Sequence, residues 1–210
     1  MKLNYPYEKS SVRKARLWKA AGESVNIHPV ILREYYLDEY LGCTASDFIS
    51  LIKKGKIKID PKDLKTFTPE EILDRESKSQ KAAEDNDFCD LLTWRLKNLI
   101  EIGDYLVSDE NKTFLSGGKY QTKGKKYKIT DLKDEGGSNF GYVTTADIKG
   151  EKIWGSNYGV KSVWRKGKEI WNWNLAYLEL WLEENPNHPE TEKMIKHCNE
   201  GAEKTRKGKR

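Results

Sequence analysis

Two lysine-rich stretches contain the residue types that could bind a polyanion. The candidate contact residues of the first stretch are Ser46, Ser50, Lys53, Lys54, Lys56 and Lys58. The second stretch interleaves lysines with aromatic residues, and its candidate contact residues are Lys119, Lys123, Lys125 and Lys126. Lysines neutralise phosphates, and exposed aromatic rings can stack on bases. Both stretches therefore favour nucleic-acid binding, and the simpler alternatives are solvated lysines and aromatic residues that fill a core.

Residues that could perform catalysis are sparse. The three histidines lie neither four residues apart nor in an HExxH motif, and the three cysteines form no CxxC pair. Both patterns argue against a metal site. The chain also lacks a GxxxxGKS or GxxxxGKT phosphate loop, a strand-linked GxGxxG turn and a GxSxG elbow. We therefore predict a non-enzymatic protein with no catalytic residue, no metal and no cofactor.

Charge is distributed unevenly along the 210 residues. The whole chain has 38 Lys and Arg against 33 Asp and Glu, a formal net charge of +5. Residues 1–20 and 201–210 have net charges of +5 and +4, whereas residues 171–200 have a net charge of −4. Basic ends can attract phosphate at long range, although a basic tail can also serve solubility alone.

A helix, a turn and a second helix would position the first lysine-rich stretch. Gly42 predicts a turn after a helix that ends near Leu41, and Thr44 can cap a second helix from Ala45 to Lys54. The predicted buried face of the second helix is Phe48, Leu51 and Ile52. Gly55 supplies a left-handed stop after it.

This stretch resembles a helix-turn-helix of the excisionase or mercury-regulator type. The resemblance is carried by Leu41-Gly42-Cys43-Thr44, by Ser46 and by Leu51-Ile52-Lys53-Lys54-Gly55-Lys56-Ile57. In that family the second helix lies in the DNA major groove and a small wing follows it. The resemblance implies a groove-facing set of Ser46, Ser50, Lys53 and Lys54, and a wing whose Lys56 and Lys58 face the flanking phosphates. The alternative is an ordinary helical hairpin.

Helical periodicity predicts further helices on both sides of this unit. Towards the N-terminus and the middle of the chain they are residues 10–21, 29–41, 69–84 and 87–102, and the polar sequence RESKSQKAAEDND at residues 75–87 predicts an exposed connector where the last two meet. Towards the C-terminus, a helix capped by Asn172 or Asn174 precedes one from Pro189 to about Glu200, and residues 201–210 form a frayed basic tail.

From Gly103 the periodicity changes to that of strands. Predicted strands at 104–108, 126–131, 140–148, 152–154 and 160–165, separated by glycine turns, indicate a small barrel or sandwich. This region resembles the small barrels of the Src-homology-three type found in many tailed-phage proteins. The resemblance is carried by residues 103–107, by residues 122–129 and by Tyr142-Val143 ahead of Asp147. The resemblance implies fold more than function, because such barrels bind peptides, nucleic acids or neighbouring domains.

Together these patterns predict an α+β protein with a helical N-terminal portion that carries the helix-turn-helix-like unit, a small antiparallel β-barrel and C-terminal helices. The predicted segments are residues 1–85 (helical), 86–102 (connecting helix), 103–170 (barrel), 171–200 (C-terminal helices) and 201–210 (basic tail).

The favoured hypothesis is a non-enzymatic DNA-binding protein encoded by a phage or mobile element, which uses the helix-turn-helix-like unit and the basic, aromatic barrel surface. The alternative is a phage protein-interaction module that binds and inhibits a host enzyme or defence protein, suggested by the barrel resemblance, by Asp47 and by the acidic Glu179, Glu183 and Glu184. No apolar run approaches the roughly 20 residues that span a bilayer, and the N-terminus lacks an apolar signal segment. We therefore expect no membrane partner and a location in the bacterial host cytoplasm; the oligomeric state stays open.

Overall fold

A computed structural model describes residues 5–40, 42–108, 110–113 and 118–207. The chain divides into two compact units: Pro6–Asp87, here called the helical unit, and the part from Phe88 onward together with Tyr5, here called the sheet unit. The first contains helices and the second is built on a β-sheet, so the protein belongs to the α+β class.

The helical unit contains three helices and the beginning of a fourth. They are α1 (Ser10–Val25), α2 (Pro29–Glu39), α3 (Ala45–Lys53) and α4 (Pro69–Leu99), with a short 3-10 turn at Pro61–Asp63. α1 continues past its predicted end at residue 21 and stops at Asn26, which has a left-handed φ of 55°. The buried core joins α1, α2 and α3 and consists of Ala21, Leu32, Phe48, Ile49 and Ile52.

α4 is one continuous helix of 31 residues, where two helices and a polar connector were predicted. The connector contains no glycine or proline, and its Arg, Glu, Lys, Gln and Ala residues favour helix. Side chains one turn apart add support: Lys78 Nζ lies 2.7 Å from Asp74 Oδ2, and Gln80 donates to Glu84 over 2.8 Å. A polar stretch therefore continues the helix instead of interrupting it.

The described part of the sheet unit has eight strands. They are β1 (Tyr105–Val107), β2 (Lys112–Thr113), β3 (Lys119–Gln121), β4 (Lys126–Asp134), β5 (Phe140–Thr145), β6 (Lys152–Ser156), β7 (Ser162–Arg165) and β8 (Lys168–Asn172). Six of them form an antiparallel sheet in the order β6-β5-β4-β1-β7-β8, and β2 and β3 form a separate pair.

The predicted barrel is wrong, because the six-stranded sheet is open. Within the described residues, β6 pairs with β5 and β8 with β7, and the two edge strands do not meet as the closure of a barrel requires. Helices cover one face instead: Leu92 and Leu96 of α4 share a core cluster with Ile129 and Val163 of the sheet. The core thus lies between helices and sheet, and alternation along single strands predicts the strands but not their closure.

Two helices, α5 (Trp173–Glu184) and α6 (Thr191–Arg206), follow the sheet. α6 extends past its predicted end near Glu200, so much of the predicted frayed tail is helical; residues 208–210 lie outside the described ranges. Arg206 Nε donates to Glu169 Oε2 over 2.6 Å, which anchors the end of the helix to β8. A Cβ atom at Gly201 would come within 2.8 Å of Asn174 Oδ1, so a larger residue there would have to displace the Asn174 side chain where α6 approaches α5.

Candidate nucleic-acid interface

Local hydrogen bonds and a buried apolar face position α3. The Thr44 hydroxyl accepts a hydrogen bond from Asp47 N over 3.2 Å and donates one to the Asp47 carboxylate over 2.5 Å, so the helix begins where Thr44 predicts. Its buried residues are Phe48, Ile49 and Ile52. Leu51, which was predicted to lie on this face, is only half-buried, because the helix turns Ile49 inward instead.

An aromatic cluster holds α3 against the helices before it. The Phe48 ring lies 4.9 Å from the ring of Tyr36 and 4.8 Å from that of Tyr40, between centroids. Tyr36 in turn lies 5.7 Å from Trp18 of α1, and its hydroxyl donates to the carbonyl of Cys43 in the turn before α3. The orientation of α3 is therefore set by packing as well as by its cap.

The opposite face of α3 brings together four of the sequence-predicted residues. Ser46, Ser50 and Lys53 lie four and seven positions apart, so they project from one side of the helix. Ser46, Lys53 and Lys54 are exposed, and Ser50 is half-buried. Leu41, one of the residues that carry the family resemblance, lies outside the described ranges.

The predicted wing is absent from the segment that follows α3, all of which is described. Gly55 stops the helix with a φ of 66°, as predicted, but residues 56–60 form no strand. Ile57 and Ile59 pack instead against the core of the helical unit, while the neighbouring Lys56 and Lys58 are exposed. Alternation of apolar and basic residues predicts a strand, but no neighbouring strand is available to pair with it.

The lysines at the end of α3 have no carboxylate partner among the residues that the structure describes, in contrast to three other cations of the helical unit. Ion pairs join Lys65 to Asp38, Arg75 to Glu34 and Lys78 to Asp74. Within the described residues, no ion pair involves Lys53, Lys54, Lys56 or Lys58. Their charges are available to an external anion.

The four lysines predicted on the sheet unit do not form one surface. Lys125 Nζ lies 2.5 Å from Asp147 Oδ1, and Lys126 Nζ lies 3.2 Å from the centroid of the Trp164 ring. Lys119 is exposed on β3 of the separate two-stranded sheet. Lys123 is half-buried in a turn, where its backbone N–H donates to Asn111 Oδ1 over 3.0 Å.

Asp147 organises the loop that contains Lys125. Hydrogen bonds from Lys125 and from the Thr122 and Tyr127 hydroxyls lower the pKa of Asp147 to about 2. The same contact raises the pKa of Lys125. Lys125 therefore has a structural partner, which weakens its case as a phosphate ligand.

A row of side chains crosses the sheet on the face opposite the core, here called the outer face. The strand register places Lys152 of β6 opposite Thr145, Lys128 of β4 opposite Tyr105, and Tyr105 opposite Trp164 of β7. Lys128 N donates to Thr145 Oγ1 over 3.1 Å, which joins the two halves of the row. The alternation in β4 is the sequence signal for this face, because Tyr127 and Ile129 are buried while Lys126 and Lys128 are exposed.

A partly buried ion pair fixes the two strands at the aromatic end of the row. Asp104, which is 2 % exposed, precedes Tyr105, and Arg165 follows Trp164. Arg165 Nε and Nη2 donate to the two Asp104 oxygens over 2.7 and 2.9 Å, and Glu101 N donates to Oδ2 over 2.9 Å. Burial alone raises the pKa of Asp104, but these hydrogen bonds outweigh it and the pKa lies below its ordinary value.

Comparison with known proteins identifies no relative: no protein-family model, no curated protein and no solved structure matches the chain. Among the residues that the structure describes, no group of three or more His, Cys, Asp or Glu side chains is placed to hold a metal ion. Within the same ranges, no helix has both the length and the apolar character that crossing a membrane requires.

Proposed function

We propose that the protein is a non-enzymatic DNA-binding protein whose α3 surface contacts duplex DNA. The observation that carries the proposal is the combination of Ser46, Ser50 and Lys53 on one side of a capped helix with further exposed lysines directly after it. The major groove, about 12 Å wide, admits a helix, and serine hydroxyls and lysines can contact base edges and phosphates.

The segment after α3 supports the proposal without a wing. Lys56 and Lys58 are exposed, whereas the isoleucines beside them pack on the core, so the backbone of this segment is held to the helical unit. Four cations without a carboxylate partner within the described residues thus lie within six positions along the chain. Phosphate contacts by such cations would release counterions and supply affinity that depends on salt.

Two of the features that suggest the protein-interaction alternative have partners within the fold. Arg95 Nη2 lies 3.2 Å from Glu183 Oε2, so one residue of the acidic C-terminal group has an internal counter-charge. The Asp47 carboxylate accepts the hydrogen bond from Thr44 at the start of α3, where a negative charge also suits the helix dipole. Both residues therefore have a structural explanation that needs no host protein.

The test is the double variant Lys53→Glu with Lys54→Glu, assayed for retention of a fluorescent duplex. Loss of two phosphate contacts should lower the affinity about 50-fold at 0.1 M salt, since each contact contributes about 0.9 to the salt slope. The melting transition should not change, because both side chains are exposed.

The matched control is Lys62→Glu with Lys81→Glu, which makes the same change in net charge at exposed positions of the same unit. The control should bind the duplex nearly as well as the unmodified protein. Equal affinities for the two double variants would contradict the assignment of α3 as the DNA-binding element.

A further inference from the structure

The outer face of the sheet has two open aromatic rings, each with an exposed lysine beside it. Trp154 is 66 % exposed and Tyr105 is 39 % exposed. Trp154 lies two residues from Lys152 on β6, on the same face and about 7 Å along the strand. Tyr105 lies directly opposite Lys128 on the neighbouring strand, at a Cβ separation of about 5 Å.

The two pairs lie on the same face and are separated by a short stretch of sheet. Lys152 and Lys128 flank Thr145, so two strand spacings, about 10 Å, separate them. The whole row from β6 to β7 crosses about 19 Å. An extended polymer chain lying across the strands could contact both pairs at once.

The ring of Trp164, the third aromatic residue of the row, is covered by another side chain. The Lys126 ammonium covers the Trp164 ring at 3.2 Å, and Trp164 Nε1 donates to Ser162 Oγ over 2.8 Å. Within the described residues, neither Tyr105 nor Trp154 forms a ring contact or a cation–π contact. The open rings are therefore Tyr105 and Trp154.

We infer that the outer face binds single-stranded nucleic acid, with bases stacked on Tyr105 and Trp154 and phosphates contacted by Lys128 and Lys152. Stacking on an aromatic side chain needs a base face that is free, and only an unpaired strand offers one at every nucleotide. Each ring has a lysine beside it, as each base of a strand has a phosphate beside it, and the two lysines lie between the two rings across the sheet. This inference rests on the proposed function in taking DNA as the ligand, but it assigns a second surface and a different form of DNA.

Charge favours this ligand over an acidic peptide or an uncharged polymer. The face has exposed lysines at positions 126, 128, 133 and 152 and one exposed carboxylate, Asp131. A sugar polymer would use the rings but not the lysines, whereas a peptide would use the lysines without a need for two spaced rings. Both remain outcomes of the test.

The experiment measures binding of a labelled oligothymidine of about 12 nucleotides by fluorescence anisotropy across a salt series. Tyr105→Ala and Trp154→Ala should each weaken binding about tenfold and leave the salt slope unchanged. Lys128→Gln with Lys152→Gln should lower the salt slope by about 1.4, since each contact to a single strand contributes about 0.7. A loss of folding would not produce this difference in salt slope between the aromatic variants and the lysine variant.

Control variants distinguish a loss of stacking from a nonspecific loss of oligothymidine binding. Trp154→Phe keeps a ring and should retain most of the affinity, and Ile148→Ala and Lys196→Gln, at exposed positions of the same unit, should have no effect. The α3 variant Lys53→Glu with Lys54→Glu should keep oligothymidine binding, so failure of the α3 proposal and failure of this inference give different results.

Three results would overturn the inference. One is oligothymidine binding that Tyr105→Ala and Trp154→Ala leave intact, and another is no oligothymidine binding even at low salt. The third is equal displacement by polyglutamate or by an uncharged glucan, which would assign the face to a peptide or a sugar polymer.

Discussion

The α3 surface and the outer face of the sheet both expose lysines, but the fold builds them by different means. The α3 surface depends on local features, a Thr44 cap and a Gly55 stop within one short segment. The outer face depends on the register of five strands, which brings together residues from position 105 to position 164. A surface of the first kind can be inferred from sequence spacing, whereas one of the second kind needs the strand order.

The surfaces also differ in what accompanies the cations. Ser46 and Ser50 accompany the lysines of α3, while Tyr105 and Trp154 accompany those of the sheet. Hydroxyls suit contacts to phosphates and groove edges, and rings suit stacking on unpaired bases. Similar charge therefore supports two different ligands, and the variants below test whether the two surfaces act separately.

The largest effect is expected from Asp104→Ala, which affects the sheet but not α3. Removing the carboxylate leaves Arg165 and the Glu101 N–H without their shared acceptor, which should cost about 2 kcal/mol in the free energy of unfolding. Denaturant unfolding measures this loss. Oligothymidine binding should weaken because Tyr105 and Trp164 are adjacent to the ion pair, while duplex binding through α3 should persist.

Asp134→Ala is the matched control for this variant. Asp134 is also ion-paired, at 2.6 Å from Lys97 Nζ, but its side chain is 68 % exposed. Exposed ion pairs contribute little, so the stability change should be much smaller than for Asp104→Ala. Equal losses in the two variants would show that the Asp104 ion pair does not hold the sheet as we describe.

Most helices and most strands could be predicted from the sequence, because their signals are local. The start of α3 at Thr44 and the strand signal in β4 are examples, and both are confirmed. The sequence could not show whether the sheet closes into a barrel, because closure depends on whether β6 pairs with β8 and not on alternation within either strand. β8 itself was missed, because Lys168-Glu169 resembles a turn next to Gly167.

A smaller effect is expected from Asp147→Asn, which removes the partner of Lys125. The lysine hydrogen bond, with those from Thr122 and Tyr127, lowers the pKa of Asp147 to about 2, below its ordinary value near 4. Its contribution to stability is therefore complete above about pH 4 and is lost as the pH falls towards 2. The difference in melting temperature between the two proteins should be constant from pH 6 to about pH 5 and shrink towards pH 2.

Asp131→Asn, at an exposed carboxylate of β4, is the control for the substitution itself and should change the melting temperature little at pH 6. A melting difference for Asp147→Asn that stays constant down to pH 2 would contradict the role of the Lys125 contact. The variant also sharpens the comparison of surfaces, because it frees a lysine that lies close in sequence to Lys128.

The candidate site was only partly predictable for the same physical reason. Lys125, Lys126 and Lys128 lie close together in the sequence, but their surroundings differ. Lys125 contacts the Asp147 carboxylate, Lys126 lies over the Trp164 ring, and Lys128 is exposed opposite Tyr105. Each partner comes from a distant segment, so spacing alone cannot assign them. The α3 lysines needed no distant partner, and the sequence placed Lys53 and Lys54 on an exposed helix end where the structure has them.

The central claim, that α3 and the lysines after it contact duplex DNA, is tested most directly by binding of the unmodified protein to a fluorescent duplex across a salt series. Contacts by Lys53, Lys54, Lys56 and Lys58 predict saturable binding with a slope of log affinity against log salt of about −3 to −4. No binding at low salt, or binding that is independent of salt, would contradict the claim.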